Sequence, residues 1–152
     1  MSSNEGLLRR QFLRVTGCVG CAAALAGAGC GDGAVPEPMS SIDAGNVSAI
    51  ALGSMRVMTG PVVVGRDSGG LFAMSAVCTH EGCPVTTAGT SASDGLVCNC
   101  HGSRFDSTGQ VTRGPASTPL RHYAVEIDSL GSVTVRADLP AVSSDTRTKV
   151  PG

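Results

Sequence analysis

An all-β fold of stacked antiparallel sheets is the class this sequence predicts, and three observations point there. The chain of 152 residues holds 21 Gly and 8 Pro, a turn-rich composition that favours short strands over long helices. Between Val47 and Ala137 no segment sustains the 3.6-residue period of an amphipathic helix. Short apolar runs instead alternate with turn signals, as in Val62-Val63-Val64 and Tyr123-Ala124-Val125-Glu126-Ile127-Asp128. The length allows one domain and not two full cores. With aromatics at 3% and no Trp, the core is expected to be aliphatic.

Residues 1–29 read as an export signal and not as fold. Arg9-Arg10-Gln11-Phe12-Leu13-Arg14 forms a basic region, and the Gly- and Ala-rich stretch from Val15 to Gly29 follows as an apolar one. That stretch is shorter than the ~20 apolar residues of a membrane-spanning helix, and Gly20, Gly27 and Gly29 weaken it as a helix. Arg9-Arg10-Gln11-Phe12-Leu13 resembles a twin-arginine export signal, with Leu8 where Ser or Thr is usual. Two processing routes stand open: cleavage at Ala26-Gly27-Ala28, or lipidation of Cys30. Cys18 and Cys21, inside the apolar stretch, read as small residues of the signal.

Residues 30–45, with Pro36, Pro38, Ser40 and Ser41, predict a flexible tether. The folded domain is expected over 46–138. Val57-Met58 and Val62-Val63-Val64 flank Thr59-Gly60-Pro61 as a hairpin would. Asp67-Ser68-Gly69-Gly70 is a turn before Leu71-Phe72-Ala73-Met74. Leu96-Val97 is a short strand, and Asp106 with Gly109 marks a hairpin turn. Tyr123 to Asp128 alternates with period two, turns at Leu130-Gly131, and returns through Ser132-Val133-Thr134-Val135. His122 reads as a strand-edge histidine. Residues 139–152, with Pro140 and Pro151, predict a loose polar tail.

Charge excludes one class of partner. Net charge is −1, and from Cys30 onward there are eight basic and eleven acidic residues. No basic field or Lys/Arg run is present to hold nucleic acid, and with so few aromatics a base-stacking platform is not expected. No Ser-His-Asp or paired-carboxylate constellation is evident, so no independent catalytic site is expected. The chemistry concentrates in two short clusters, Cys78-Thr79-His80-Glu81-Gly82-Cys83 and Cys98-Asn99-Cys100-His101-Gly102-Ser103. Two Cys and two His in loops can hold either an iron–sulfur cluster or zinc.

The pairing of Cys-x-His with Cys-x-x-His, plus one further Cys in each loop, resembles the Rieske family of iron–sulfur proteins. The resemblance covers about residues 47–137. It implies Rieske-type stacked antiparallel sheets with a small cluster-binding subdomain, and one 2Fe–2S cluster. It makes Cys78 and Cys98 thiolate ligands of one iron and His80 and His101 imidazole ligands of the other. It pairs Cys83 with Cys100 in a disulfide joining the loops, as suits an exported protein. It gives Ser103 a hydroxyl that donates to a cluster sulfide, puts Phe105 where high-potential relatives carry a donating Tyr, and makes Gly114-Pro115-Ala116 the loop over the cluster's far side. Two ferric ions, two sulfides and two thiolates sum to zero with neutral imidazoles. Adding an electron to a neutral site is easier than to a four-thiolate dianion, so the potential is expected within about −150 to +300 mV. One donor fewer at Phe105 predicts an intermediate value.

The resemblance implies one-electron transfer in the bacterial cell envelope, to or from a partner oxidoreductase or respiratory component. The location is the periplasmic side of the inner membrane, with membrane contact only through the N-terminal segment or a lipid on Cys30. The alternative is the Rieske subunit of a cytochrome bc-type quinol-oxidising complex. Glu81, where quinol-oxidising relatives are typically apolar, counts against it because a carboxylate is costly to desolvate. A ferredoxin for ring-hydroxylating oxygenases fits least, since those relatives lack the extra Cys pair. A reading of another class is a structural zinc module built on the same four residues.

Overall fold

The computed structural model describes residues 34–89 and 91–151, and the expected export signal (1–29), with Cys30, lies outside them. Ten strands make up two antiparallel sheets, and no α-helix occurs among the described residues. The larger sheet contains β1 (Ser41–Asn46), β2 (Met55–Met58), β3 (Val62–Asp67), β4 (Gly70–Ser75), β9 (His122–Ile127) and β10 (Ser132–Arg136), in the order β1-β10-β9-β4-β3-β2. The smaller sheet contains β5 (Val85–Thr87), β6 (Leu96–Cys98), β7 (Arg104–Phe105) and β8 (Val111–Arg113), in that order.

The period-two pattern explains how the layers pack. In β3, Val62 and Val64 enter one apolar cluster with Leu71, Ala73, Tyr123, Val125, Val133 and Val135. Val63 points to the other face, where Phe72 and Met74 of β4 join Val85, Leu96, Cys98 and Phe105 of the smaller sheet. β3 and β4 are therefore apolar on both faces, and their runs lack the polar alternation of a strand with one wet face. The hairpins β2–β3, β3–β4 and β9–β10 fall where the turn residues predict them. Asp106 makes the β7–β8 turn: its Oδ1 accepts from the Thr108 and Gln110 N–H groups and from the Thr108 hydroxyl.

Three expectations are corrected. The tether expected over 30–45 is part of the fold from Val35 onward. Val35 N–H donates to the Gly82 carbonyl at 2.7 Å. The Glu37 carboxylate accepts from the Ser75 hydroxyl (2.9 Å) and the Tyr123 hydroxyl (2.5 Å), and β1 begins at Ser41. Burial, followed by the neighbouring Glu37 carboxylate, raises the Tyr123 phenol above its usual range, so it stays a donor. The tail expected over 139–152 is likewise fastened. Thr148 exchanges two backbone hydrogen bonds with Leu71, both 2.9 Å. The Arg147 guanidinium meets Asp67 at 2.6 Å and lies 4.5 Å from the Phe72 ring centre. Finally, His122 is not at a sheet edge. It stands on β9 between β4 and β10, is 6% exposed, and donates from Nε2 to the Thr108 carbonyl at 2.9 Å, joining the two sheets.

Candidate metal centre

The two Cys/His clusters fold into loops built alike. In the first, Cys78 N–H donates to the Cys83 carbonyl (2.8 Å) and Gly82 N–H to the Cys78 carbonyl (2.9 Å). In the second, Cys98 N–H donates to the Ser103 carbonyl and Gly102 N–H to the Cys98 carbonyl, both 2.9 Å. The fifth residue of each loop has positive φ, 71° at Gly82 and 77° at Gly102, which is why both motifs carry Gly there. The first loop lies between β4 and β5, the second between β6 and β7. The strands of both sheets thus present the loops side by side.

Three clasps hold this end together. Cys83 and Cys100 form the disulfide, with Cα atoms 6.5 Å apart, and it joins the loops directly. The segment around Gly114-Pro115-Ala116 is tied to both: the Thr79 hydroxyl donates to the Thr118 carbonyl at 2.7 Å, and Ala116 N–H donates to the Ser103 hydroxyl at 3.0 Å. Ser103 is fully buried, and its oxygen is fixed by an accepted bond, so its own proton remains to be donated. The Val35 bond to Gly82 adds a third contact from the N-terminal side. The Ser103 clasp follows from a residue the sequence singles out. The Thr79 and Val35 clasps involve ordinary residues at ordinary spacing and carry no sequence signal.

Inside these clasps the two loops carry two thiols outside the disulfide and two imidazoles. Cys78 and Cys98 are buried thiols outside the disulfide. Burial pushes the Cys98 thiol up, and its hydrogen bond with Cys78 pushes it further, against the N–H groups of Cys100 and His101. The disulfide sulfurs lie within 4.8 Å of the Cys98 sulfur. The rings of His80 and His101 meet edge to face, centroids 4.9 Å apart at 83°. Their side chains are 27% and 47% exposed. His80 Nδ1 is buried without a hydrogen-bond partner, a costly state for an imidazole nitrogen unless something binds it. Two adjacent buried thiols, one of them two residues along the chain from an orphaned buried nitrogen, fit a metal group that takes sulfur at one side and imidazole at the other. Phe105 is 2% exposed and packs in the cluster that contains Cys78, Cys83 and Cys98, with no polar atom to offer them.

The carboxylate of Glu81 lies across the outer edge of the pair, 3.9 Å from Nε2 of both His80 and His101. The sequence puts Glu81 at the loop tip. That one carboxylate spans both imidazoles is visible only once the loops are folded.

The model of the Rieske [2Fe-2S] domain matches residues 39–124. The chain is 44% identical over 71 residues to the cytochrome b6-f complex iron-sulfur subunit of Synechococcus sp. (strain CC9605), an alignment covering 45% of this chain and 39% of that protein. It thus spans about two fifths of the length of the curated relatives it matches. Among solved structures, the cyanobacterial plasma membrane Rieske protein PetC3 from Synechocystis PCC 6803 is 31% identical, with 62% of this chain and 98% of that chain covered and a TM-score of 0.48. A naphthalene 1,2-dioxygenase, 23% identical over 67% of this chain and 27% of its own, shares the fold at a TM-score of 0.53.

Proposed function

Because the chain belongs to the Rieske [2Fe-2S] family, we propose that Cys78, Cys98, His80 and His101 hold one 2Fe–2S cluster and that the protein carries single electrons in the bacterial cell envelope. The observation that carries the ligand assignment is the orphaned, buried Nδ1 of His80 beside two buried thiols outside the disulfide. Bound there, the cluster takes up and releases one electron at a time. The chain's own residues do the rest. The disulfide and the Gly114–Thr118 segment keep the donors in place through the change of charge. The buried thiol side and Phe105 exclude water, and the partly exposed imidazoles make the shortest way out. Ser103 offers its hydroxyl proton to the more negative, reduced state and so raises the potential. A structural zinc module would leave this paired-loop, serine-donating arrangement without a use.

The partner we favour is a periplasmic oxidoreductase or respiratory component met through the exposed tip. The Glu81 carboxylate supports this: a quinol head approaching either Nε2 would have to strip water from Glu81 or displace it. The likeness to cytochrome b6-f subunits favours a second reading, as the Rieske subunit of a quinol-oxidising complex. Among the described residues no helix is long and apolar enough to cross a membrane. Attachment through the expected export signal, or through a lipid on Cys30, belongs to the same proposal, and mass spectrometry of the exported protein tests it.

The deciding experiment is a redox titration across pH of the natively exported protein, with low-temperature EPR of the reduced form. A Rieske-type signal and a reversible potential in the middle of the class range support the favoured reading. A potential toward about +300 mV, with quinol oxidation in reconstituted membranes, supports the quinol complex instead. A colourless, EPR-silent zinc protein overturns the electron-carrier reading.

A further inference from the structure

We propose that Arg104 and Arg113 form a cationic docking site for an acidic redox protein, on the flank of the metal-binding tip. The inference rests on the electron-carrier reading. The two arginines are directly opposed partners on β7 and β8, so their side chains leave the same face of the smaller sheet. Phe105, next along β7, faces the core, which puts Arg104 on the outer face, and both arginines are exposed. Neither guanidinium makes a hydrogen bond or ion pair among the described residues. The carboxylates of the same lobe are engaged elsewhere. Asp106 is committed to the β7–β8 turn, Asp94 caps the Ala92–Asp94 turn through the Ser91 N–H, and Glu81 lies against the histidines.

Like charges placed directly opposite on a sheet repel and cost stability. A net-negative chain that keeps such a pair uncompensated presents a local field opposite to its overall charge. The location gives this field a use. Arg104 follows His101 by three residues, at the start of β7, and Arg113 immediately precedes Gly114-Pro115. Both stand at the strand ends nearest the donor set. An acidic partner drawn to the doublet is brought beside the exposed imidazoles, and such steering raises association rates and weakens with salt. Two guanidiniums on an open sheet face suit a broad acidic protein surface better than a small enclosed anion.

The sign of the salt dependence tests this. The reduced, cluster-loaded full chain is mixed in stopped flow with an acidic blue-copper protein, and with hexacyanoferrate(III), over a range of ionic strengths. Net negative charge alone demands that both rates rise with salt, whereas the doublet demands that they fall. R104Q/R113Q is expected to slow the blue-copper reaction about tenfold at low salt and to reverse the slope. The EPR signal and midpoint potential should stay as in the parent, which shows that the variant is folded and loaded. Wild-type rates that rise with salt, or a variant indistinguishable from wild type, overturn the docking site and leave the electron-carrier reading intact. Binding to phosphatidylglycerol vesicles that the substitutions abolish, with unchanged blue-copper kinetics, reassigns the doublet to a lipid surface and also overturns it. A protein without a reversible cluster overturns both.

Discussion

Replacing Ser103 by Ala separates two duties of one buried oxygen. As an acceptor, the hydroxyl receives the Ala116 N–H at 3.0 Å and ties the second loop to the Gly114–Thr118 segment. Its loss leaves that N–H buried and unpaired, which costs about 1–3 kcal/mol of stability. As a donor, on the proposed reading, its remaining proton goes to the metal group, and only this duty depends on oxidation state. A hydrogen bond that strengthens on reduction by about 1–1.5 kcal/mol corresponds to about 45–65 mV for a one-electron couple. S103A is therefore expected to be less stable in urea and to have a midpoint potential lower by that amount. EPR-monitored potentiometry at constant pH reads the second effect, and urea unfolding reads the first. If stability falls while the potential stays within about 10 mV, the serine is only a loop clasp and the donor assignment is wrong.

Phe105 offers the converse test. F105Y adds a hydroxyl to a ring packed with Cys78 and Cys98 and is expected to raise the potential by a similar ~50 mV; an unchanged potential would mean that the new hydroxyl does not reach the site. Removing the disulfide with C83S/C100S opens a link spanning 17 residues and is expected to cost about 3 kcal/mol. Its cluster should be lost on storage faster than in the parent, as followed by the visible spectrum. His122 predicts the acid limb of stability. Burial holds its pKa below the ordinary 6.5, against the pull of the Thr108 carbonyl, so the unfolded chain binds the proton more readily than the folded one. Stability is then complete above about pH 6.5 and falls as the pH drops below it. Urea midpoints between pH 7.5 and 5.5 should show this slope and H122Q should flatten it; the same slope in both proteins would assign it to other groups.

What could be read in the sequence follows from where the folding information lies. The β2–β3, β3–β4 and β9–β10 hairpins were legible because their strands are long enough to show apolar runs or alternation beside clear turn residues. β5, β7 and β8 are two or three residues long, too short for any period, and owe their pairing to the loops and disulfide beside them. The candidate metal-binding residues are legible because each cluster packs its chemistry into six consecutive residues. The N-terminal and C-terminal segments look loose in the sequence because their composition is polar and Pro-containing. What orders them is contacts such as Glu37 with Tyr123 and Arg147 with Asp67, 86 and 80 residues apart, which no local window contains. His122 is polar, yet it is buried and satisfied by a carbonyl from the other sheet, a contact that lies 14 residues away in sequence.

The docked N-terminal segment also has a mechanical side. A pull along the chain from its N-terminal side arrives first at Val35, whose hydrogen bond ends on Gly82 in the loop carrying Cys78 and His80. Behind it stands Glu37, held by two hydroxyls from the larger sheet. The single bond at Val35 is the weaker joint and the paired bonds at Glu37 the stronger. A modest tug therefore peels Val35 away and then stops at the sheet, so the load passes into the β4–β9 scaffold and spares the loop that carries Cys78 and His80. The segment works as a strain relief, with its stop at Glu37, beside the scaffold and not at the tip.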